Sequence, residues 1–232
     1  MRKNWYIIID TESTITDKCA DFGAIVCDKH GNIATQCAVL IKDFRDHSLF
    51  YDAKSKDEIW TIKGLERRQA NYERMLESGE RMIASVAAVN RWLDKVNREY
   101  SPTLSAYNIA FDTGILNNSG IAHSQFIDRF CLWQAAIGQW SQTSKFKNFV
   151  LEHNAFNNVT AKNNMTYKTN AEIMASFVAG EMLPPEPHTA LEDALLYEMP
   201  ILLALLKKRD WRKKVKPYNW REHQVNRHFR SL

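Results

Sequence analysis

The sequence predicts an α/β fold, a mixed β-sheet with helices packed on it. Two observations carry this. The first 41 residues read as three consecutive strands. From about residue 55 onward, helical apolar periodicity alternates with short strand-like pieces, and strands followed by alternating helices and strands must share one layered core.

The elements follow in order. Trp5-Tyr-Ile-Ile-Ile9 is a continuous apolar, β-branched run, the pattern of a strand buried on both faces. Cys19 to Cys27 and Ile33 to Ile41 flank Asp28-Lys-His-Gly-Asn32, a turn composition that predicts an antiparallel hairpin. Ser55-Lys-Asp-Glu58 has the form of a capping box before Ile59, Ile62 and Leu65. Met82, Val86, Val89, Leu93 and Val96 form the apolar stripe of an amphipathic helix. Pro102 separates it from a short strand, Thr103 to Asn108, with a helix from about Ile109. A fifth strand is expected near Phe126 and Ile127, then helices around Leu132, Phe146 to His153 and Asn170 to Ala179. Five Asn among residues 154–164 predict an exposed loop, and a final long helix begins after His188. Pro200 lies inside that helix and should kink or break it near Leu196 to Pro200.

Composition narrows the classes. The chain has 232 residues, 45% apolar and 25% charged, enough for one full core. Eight glycines and six prolines exclude a collagen-like or low-complexity chain. The longest apolar run, Met199 to Leu206, is too short to span a bilayer. The N-terminus has Arg2 and Lys3, but its apolar stretch stops at Asp10, short of a signal-peptide core. The expectation is a soluble, cytoplasmic protein with no membrane partner. Cys19, Cys27, Cys37 and Cys131 form no C-x-x-C pair, so reduced thiols are expected rather than a zinc site.

Charge is uneven. Residues 207–232 hold ten Lys/Arg against two Asp/Glu, while the rest of the chain is net −4. This divides the chain into a body, residues 1–206, and a basic tail, residues 207–232, with Trp211, Tyr218, Trp220 and Phe229 interleaved. Bases with aromatics suit single-stranded nucleic acid. Equally, the aromatics could pack back on the body.

Sequences for a P-loop, a dinucleotide fingerprint, a serine elbow and a zincin helix are all missing. Three others stand out. Asp10-Thr-Glu12 puts two carboxylates on one side of a strand end, about 6.5 to 7 Å apart. Carboxylates ending an apolar strand call for a counter-charge, and hard oxygen ligands suit Mg²⁺ or Mn²⁺. Asn108-Ile-Ala-Phe-Asp112 sits at a strand-to-helix junction, with Asn108 as a potential N-cap and Asp112 in the first turn. His188-Thr-Ala-Leu-Glu-Asp193 opens the final helix. Thr189 and Glu192 form a capping box, and Pro184, Pro185 and Pro187 keep His188 on the incoming loop. A titrating imidazole beside fixed carboxylates suits general-base work. Alone, each segment also reads as a polar strand end, a capped helix or a structural histidine.

In this order and spacing, the three segments resemble the DEDDh (DnaQ-like) 3′→5′ exonucleases of the ribonuclease H-like superfamily, over roughly residues 5–206. The resemblance implies a mixed five-stranded sheet in βββαβαβα order. It implies stepwise hydrolysis of DNA or RNA from the 3′ end, with two Mg²⁺ or Mn²⁺ ions per active site. Asp10, Glu12, Asp112 and Asp193 would form the acidic metal site, His188 the general base, and Thr11 and Asn108 would contact substrate. Thr189 stands where a sister group carries tyrosine, which favours the histidine subgroup. Ser13-Thr14 departs from the Thr-Gly that follows the first motif in many relatives. The expected partner is single-stranded nucleic acid or a frayed 3′ end, and homodimerisation, seen in several relatives, stays open. A compact enzyme of this size fits a bacterial or phage-encoded protein. Two other classes use the same residues: a proofreading or processing subunit docked through Met199 to Leu206 or the tail, and a non-hydrolytic nucleic-acid binder.

Overall fold

The computed structural model describes residues 4–158 and 165–225. The basic Arg2 and Lys3, the middle of the asparagine-rich stretch and Phe229 lie outside the described residues. Strands β1 (Trp5–Ser13), β2 (Cys19–Asp28) and β3 (Ile33–Ile41) form an antiparallel meander. Three short strands extend the sheet in parallel: β4 (Met82–Ala84) beside β3, and β5 (Thr103–Ala106) and β6 (Arg129–Cys131) beyond β1. The result is a six-stranded mixed sheet in the order β4-β3-β2-β1-β5-β6.

Side-chain alternation sends β1 and β2 into two cores. Ile7, Ile9, Phe22, Ala24 and Val26 pack under α2 (Val86–Tyr100) and α3 (Ile109–Ser119). Tyr6, Ile8, Ile25 and Cys27 pack under the helices of the second half of the chain. These are α4 (Leu132–Ala136), α5 (Ser144–Glu152), α6 (Ala171–Ala179), α7 (Ala190–Asp193) and α8 (Met199–Leu206). Helix α1 (Ile62–Ser78) covers the smaller cluster of Leu49, Tyr72 and Met75.

Several sequence expectations need correction. The sheet has six strands rather than five, because Met82–Ala84 pairs with β3 instead of opening the helical stripe. Ser85 caps the following helix by accepting from the Ala88 N–H, so the stripe starts at Val86. The box at Ser55 does not start α1. A short 3₁₀ turn (Glu58–Trp60) intervenes, and Thr61 is the N-cap, accepting from the Gly64 N–H. The strand expected at Phe126 and Ile127 lies at Arg129–Cys131, where the backbone reaches β5; Phe126 is core and Ile127 is exposed. The ends of the asparagine-rich stretch form an antiparallel pair, β7 (Phe156–Asn158) with β8 (Met165–Tyr167).

Within Met199 to Leu206, Ile201, Leu202 and Leu205 are wholly buried in the larger core, and the other five residues are half-buried. Residues 207–225 also fold back. Trp211 and Val225 join that core, Trp211 packs 4.6 Å from Phe130, and Arg212 forks onto Asp128 at 3.0 and 2.8 Å. Among the described residues, no helix is long and apolar enough to cross a membrane.

Candidate active site

The acidic residues meet where β1 leaves its helix-covered core. Ile7 to Ile9 are buried, Asp10 and Glu12 are half-buried on one side, and Thr11 points to the other. The β1–β2 register shifts between Glu12 and Ser13, a local bulge of the kind that re-aims side chains beside active sites. Thr11 is buried and its hydroxyl donates to Asp112 Oδ1 at 3.0 Å. That bond ties the first motif to the second, because Asp112 sits in the first turn of α3. Asn108 occupies the N-cap position without a side-chain cap, and its side chain is exposed at the cleft.

The third motif arrives over a glycine. Asp10 lies opposite Gly23 on β2, and a Cβ on Gly23 would stand 2.3 Å from the backbone of Ala190 and Leu191. The bare strand lets the final helix lie directly on the sheet and brings Asp193 to the acids of β1. Thr189 is the N-cap by position but its hydroxyl makes no cap, correcting the expected capping box. Asp21 of β2 takes that role, accepting from the Ala190 N–H at 2.9 Å, while Glu192 pairs with Arg81. His188 has the left-handed backbone of φ 54°, an uncommon conformation for a non-glycine residue. Its Nδ1 lies 3.9 Å from Glu12 Oε1, and its ring centroid is 4.7 Å from that of Trp60.

All five motif residues line one cleft of about 650 Å³. Glu12, His188 and Asp193 form its tightest group, each offering a ligand atom within 4.8 Å of the others. Asp10 and Asp112 face the same space outside that trio. Trp60 and Phe50 stand on the His188 side, with Arg68 over the Trp60 ring at 4.9 Å. Phe111, Trp133 and Tyr218 also line the cleft, the last two stacked at 5.0 Å with planes 28° apart.

Electrostatics mark the cleft as unusual. Burial, and then the neighbouring carboxylates Glu198, Asp112, Glu12 and Asp193, push Asp10 well above the usual carboxylate range. Burial and Asp21 push Glu12 up to about 8, against the pull of Arg68. Burial lifts Asp112 to about 7 despite the bond from Thr11. Burial and Glu12 lift Asp193 to about 9. Burial and the Arg68 guanidinium hold His188 below its ordinary value, so the neutral imidazole, the form that accepts a proton, prevails near neutrality.

Two acids escaped the sequence reading. Glu198, only 2% exposed, and Glu186 both line the cleft, and each keeps a buried carboxylate oxygen without a hydrogen-bond partner. Glu198 follows Asp193 by five residues, about 500° on an α-helix, which would turn the two side chains some 140° apart. Residues Ala194–Glu198 instead form a π turn, in which the Met199 N–H donates to the Ala194 carbonyl. A π turn keeps residues five apart on nearly one face. The available signal was Pro200, whose missing N–H predicts a disturbed ladder at this place.

Asp193 Oδ1 is also buried and unpartnered. Orphaned carboxylate oxygens beside an imidazole are the donor set of a divalent cation, and the residues present fit one. Compared with known protein families and with curated proteins, the sequence finds no match.

Proposed function

We propose that the protein is a metal-dependent 3′→5′ exonuclease with a ribonuclease H-like fold. The observation that carries the reading is the meeting of three separate sequence motifs, Asp10-x-Glu12, Asn108 to Asp112 and His188 to Asp193, in one cleft rich in unpartnered acid. An antiparallel meander followed by parallel strands alternating with helices supports the fold.

Asp10, Glu12, Asp112 and Asp193 would hold Mg²⁺ or Mn²⁺, two ions by the family resemblance, which supply Lewis-acid stabilisation of the charge that develops on phosphate. Neutral His188 takes the proton from the attacking water. The new bond forms from water oxygen to phosphorus, and the bond from phosphorus to the 3′ oxygen breaks. The products are a nucleoside 5′-monophosphate and a shortened strand whose 3′ oxygen takes a proton from solvent. Thr11 holds Asp112 in place, and Asn108 faces the incoming strand at the cleft. The rings of Phe111, Trp133 and Trp60 suit an unpaired terminal base, which favours single strands or frayed ends.

The test is degradation of 5′-labelled and 3′-labelled DNA and RNA oligonucleotides with Mg²⁺ or Mn²⁺, with and without chelator. Mononucleotides should leave the 3′ end only. Asp10→Ala should abolish release while the protein stays folded, and His188→Ala should lower turnover by roughly 10². Cleavage of a circular single strand as fast as a linear one would overturn the reading.

A further inference from the structure

Behind the cleft lies a second set of charges that no step of the proposed reaction uses. Arg81, 2% exposed, follows the α1 C-terminus and enters between sheet and final helix. Its Nε donates to Asp21 Oδ1 at 3.1 Å, its Nη1 to Glu192 Oε1 at 3.0 Å, and its Nη2 to Glu192 Oε2. Asp21 Oδ2 also accepts from the Ala190 N–H at 2.9 Å and from the Tyr72 hydroxyl at 3.1 Å. The same hydroxyl lies 3.4 Å from the His188 carbonyl.

The placement matters more than the bonds. Asp21 is the cross-strand partner of Glu12, and Glu192 precedes Asp193. Acids directly opposite on adjacent strands repel, and the Arg81 guanidinium pairs with the Asp21 member of this pair. One planar fork thus joins the strand beside Glu12 to the turn that carries Asp193, while the Tyr72 hydroxyl, which donates to Asp21, lies beside the strained backbone of His188.

We propose that Arg81 is a positioning residue: its fork between Asp21 and Glu192 sets the distance at which Glu12, His188 and Asp193 converge. The proposal rests on the nuclease reading for what is positioned, not for the clamp itself. Groups that orient metal ligands typically change metal affinity or activity by about 10–100-fold when removed.

The test uses the full chain and Mn²⁺. Arg81→Met should lower Mn²⁺ affinity, read by electron paramagnetic resonance, by about 10–100-fold. It should lower kcat in parallel and leave KM within about threefold, since contacts to the strand lie elsewhere. Arg81→Lys should recover part of both, because an ammonium reaches one carboxylate but cannot fork across two. The Ala190 and Asp193 amides should exchange faster in Arg81→Met, with β1 and β2 still protected. A folded Arg81→Met protein with wild-type Mn²⁺ affinity and kcat would overturn the proposal and leave Arg81 a brace. Should Arg81→Met fail to fold, Glu192→Gln, which keeps the Arg81–Asp21 pair, carries the same test: weakened Mn²⁺ binding supports the clamp and unchanged binding overturns it. If the wild-type chain neither binds Mn²⁺ nor degrades nucleic acid, the nuclease reading falls. Amide exchange at Ala190 and Asp193 then decides alone, faster exchange supporting the clamp and unchanged exchange overturning it.

Discussion

Gly23 carries no side chain because the backbone of the final helix occupies the place a Cβ would take. The obstacle is main chain, which cannot rotate aside as a side chain could. Gly23→Ala should therefore displace the start of the final helix, costing about 1–3 kcal/mol or more in overpacking. Activity should fall much further than stability, because Asp193 moves with the displaced turn. Denaturant melts beside single-turnover rates would check this; wild-type rates in a Gly23→Ala protein would show that the helix does not need so close an approach. The five motif residues were legible because each comes from a short segment with its own signature of strand end, helix start or proline-bounded loop. Asp21, Arg81, Glu186 and Glu198 were not. Each is an ordinary surface-type residue in sequence, and what makes it unusual is burial produced by contacts up to 169 residues away, as with Asp21 and Ala190.

At the scale of elements, the final helix is the instructive case. Pro200 predicted a disturbance between Leu196 and Pro200, and the regular α ladder is interrupted there by the π turn Ala194–Glu198. The sequence could not say that the disturbance would be a widened turn rather than a kink, since that choice depends on packing: Tyr197 and Glu198 are both buried by neighbours. Pro200→Ala restores a donor to the ladder, so the π turn should relax to α and Glu198 should rotate out of the cleft. Slow hydrogen exchange of the amide that the substitution introduces would report the first change. The second should raise the metal-free melting temperature at about pH 8, as Glu198→Gln should do directly by removing a carboxyl that burial pushes well above its unfolded range, which costs stability at that pH. Free exchange of that new amide would show that Pro200 is not the cause of the π turn. The other element boundaries moved for related reasons. Met82 suits either a helix stripe or an edge strand, and only the vacancy beside β3 decides between them. The Ser55 box yielded to Thr61 because the chain must first complete the turn that sets Trp60 beside His188.

On the scale of the whole molecule, the basic C-terminal segment was ambiguous because its aromatics suit a base stack and a protein core equally well. In the described part, Trp211 is core and Tyr218 stacks on Trp133 at the cleft, while Gly138 admits the Lys214 carbonyl where a Cβ would stand 1.8 Å away. The segment therefore closes the fold around the site rather than trailing from it, and the site's own charge sets how stable that closed fold is. Glu12, Asp112, Asp193 and Glu186 all have carboxyls raised by burial, to about 8, 7, 9 and 7. Unfolded, the same groups titrate near 4. Between those limits the folded chain binds more protons than the unfolded one, so unfolding free energy must fall as pH rises through that window. His188, held low by burial, works in the opposite sense, because its unfolded form binds the extra proton below about 6.5. His123 and His223 are held low by burial too, but burial also raises Asp10, Asp21, Glu172 and Glu198, so the carboxylates outnumber the imidazoles eight to three and set the sign. Below about pH 4 the sign reverses, since Asp28, held near 2 by Asn32, loses its hydrogen-bonded charge. The metal-free protein should thus melt highest near pH 4–5 and progressively lower toward pH 8–9. A divalent cation that binds the ionised acids reverses the trend, adding about 2.7 kcal/mol at a concentration 100-fold above its Kd. The gain in melting temperature on adding Mn²⁺ should be small near pH 5 and grow steadily toward pH 8, where the acids are free to bind it. Scanning calorimetry with Mn²⁺ and with chelator across this range is the measurement. A metal-free melting temperature that rises from pH 5 to pH 8 would mean the cleft carboxylates are ionised at little cost, and the case for a resident cation would lose its physical basis.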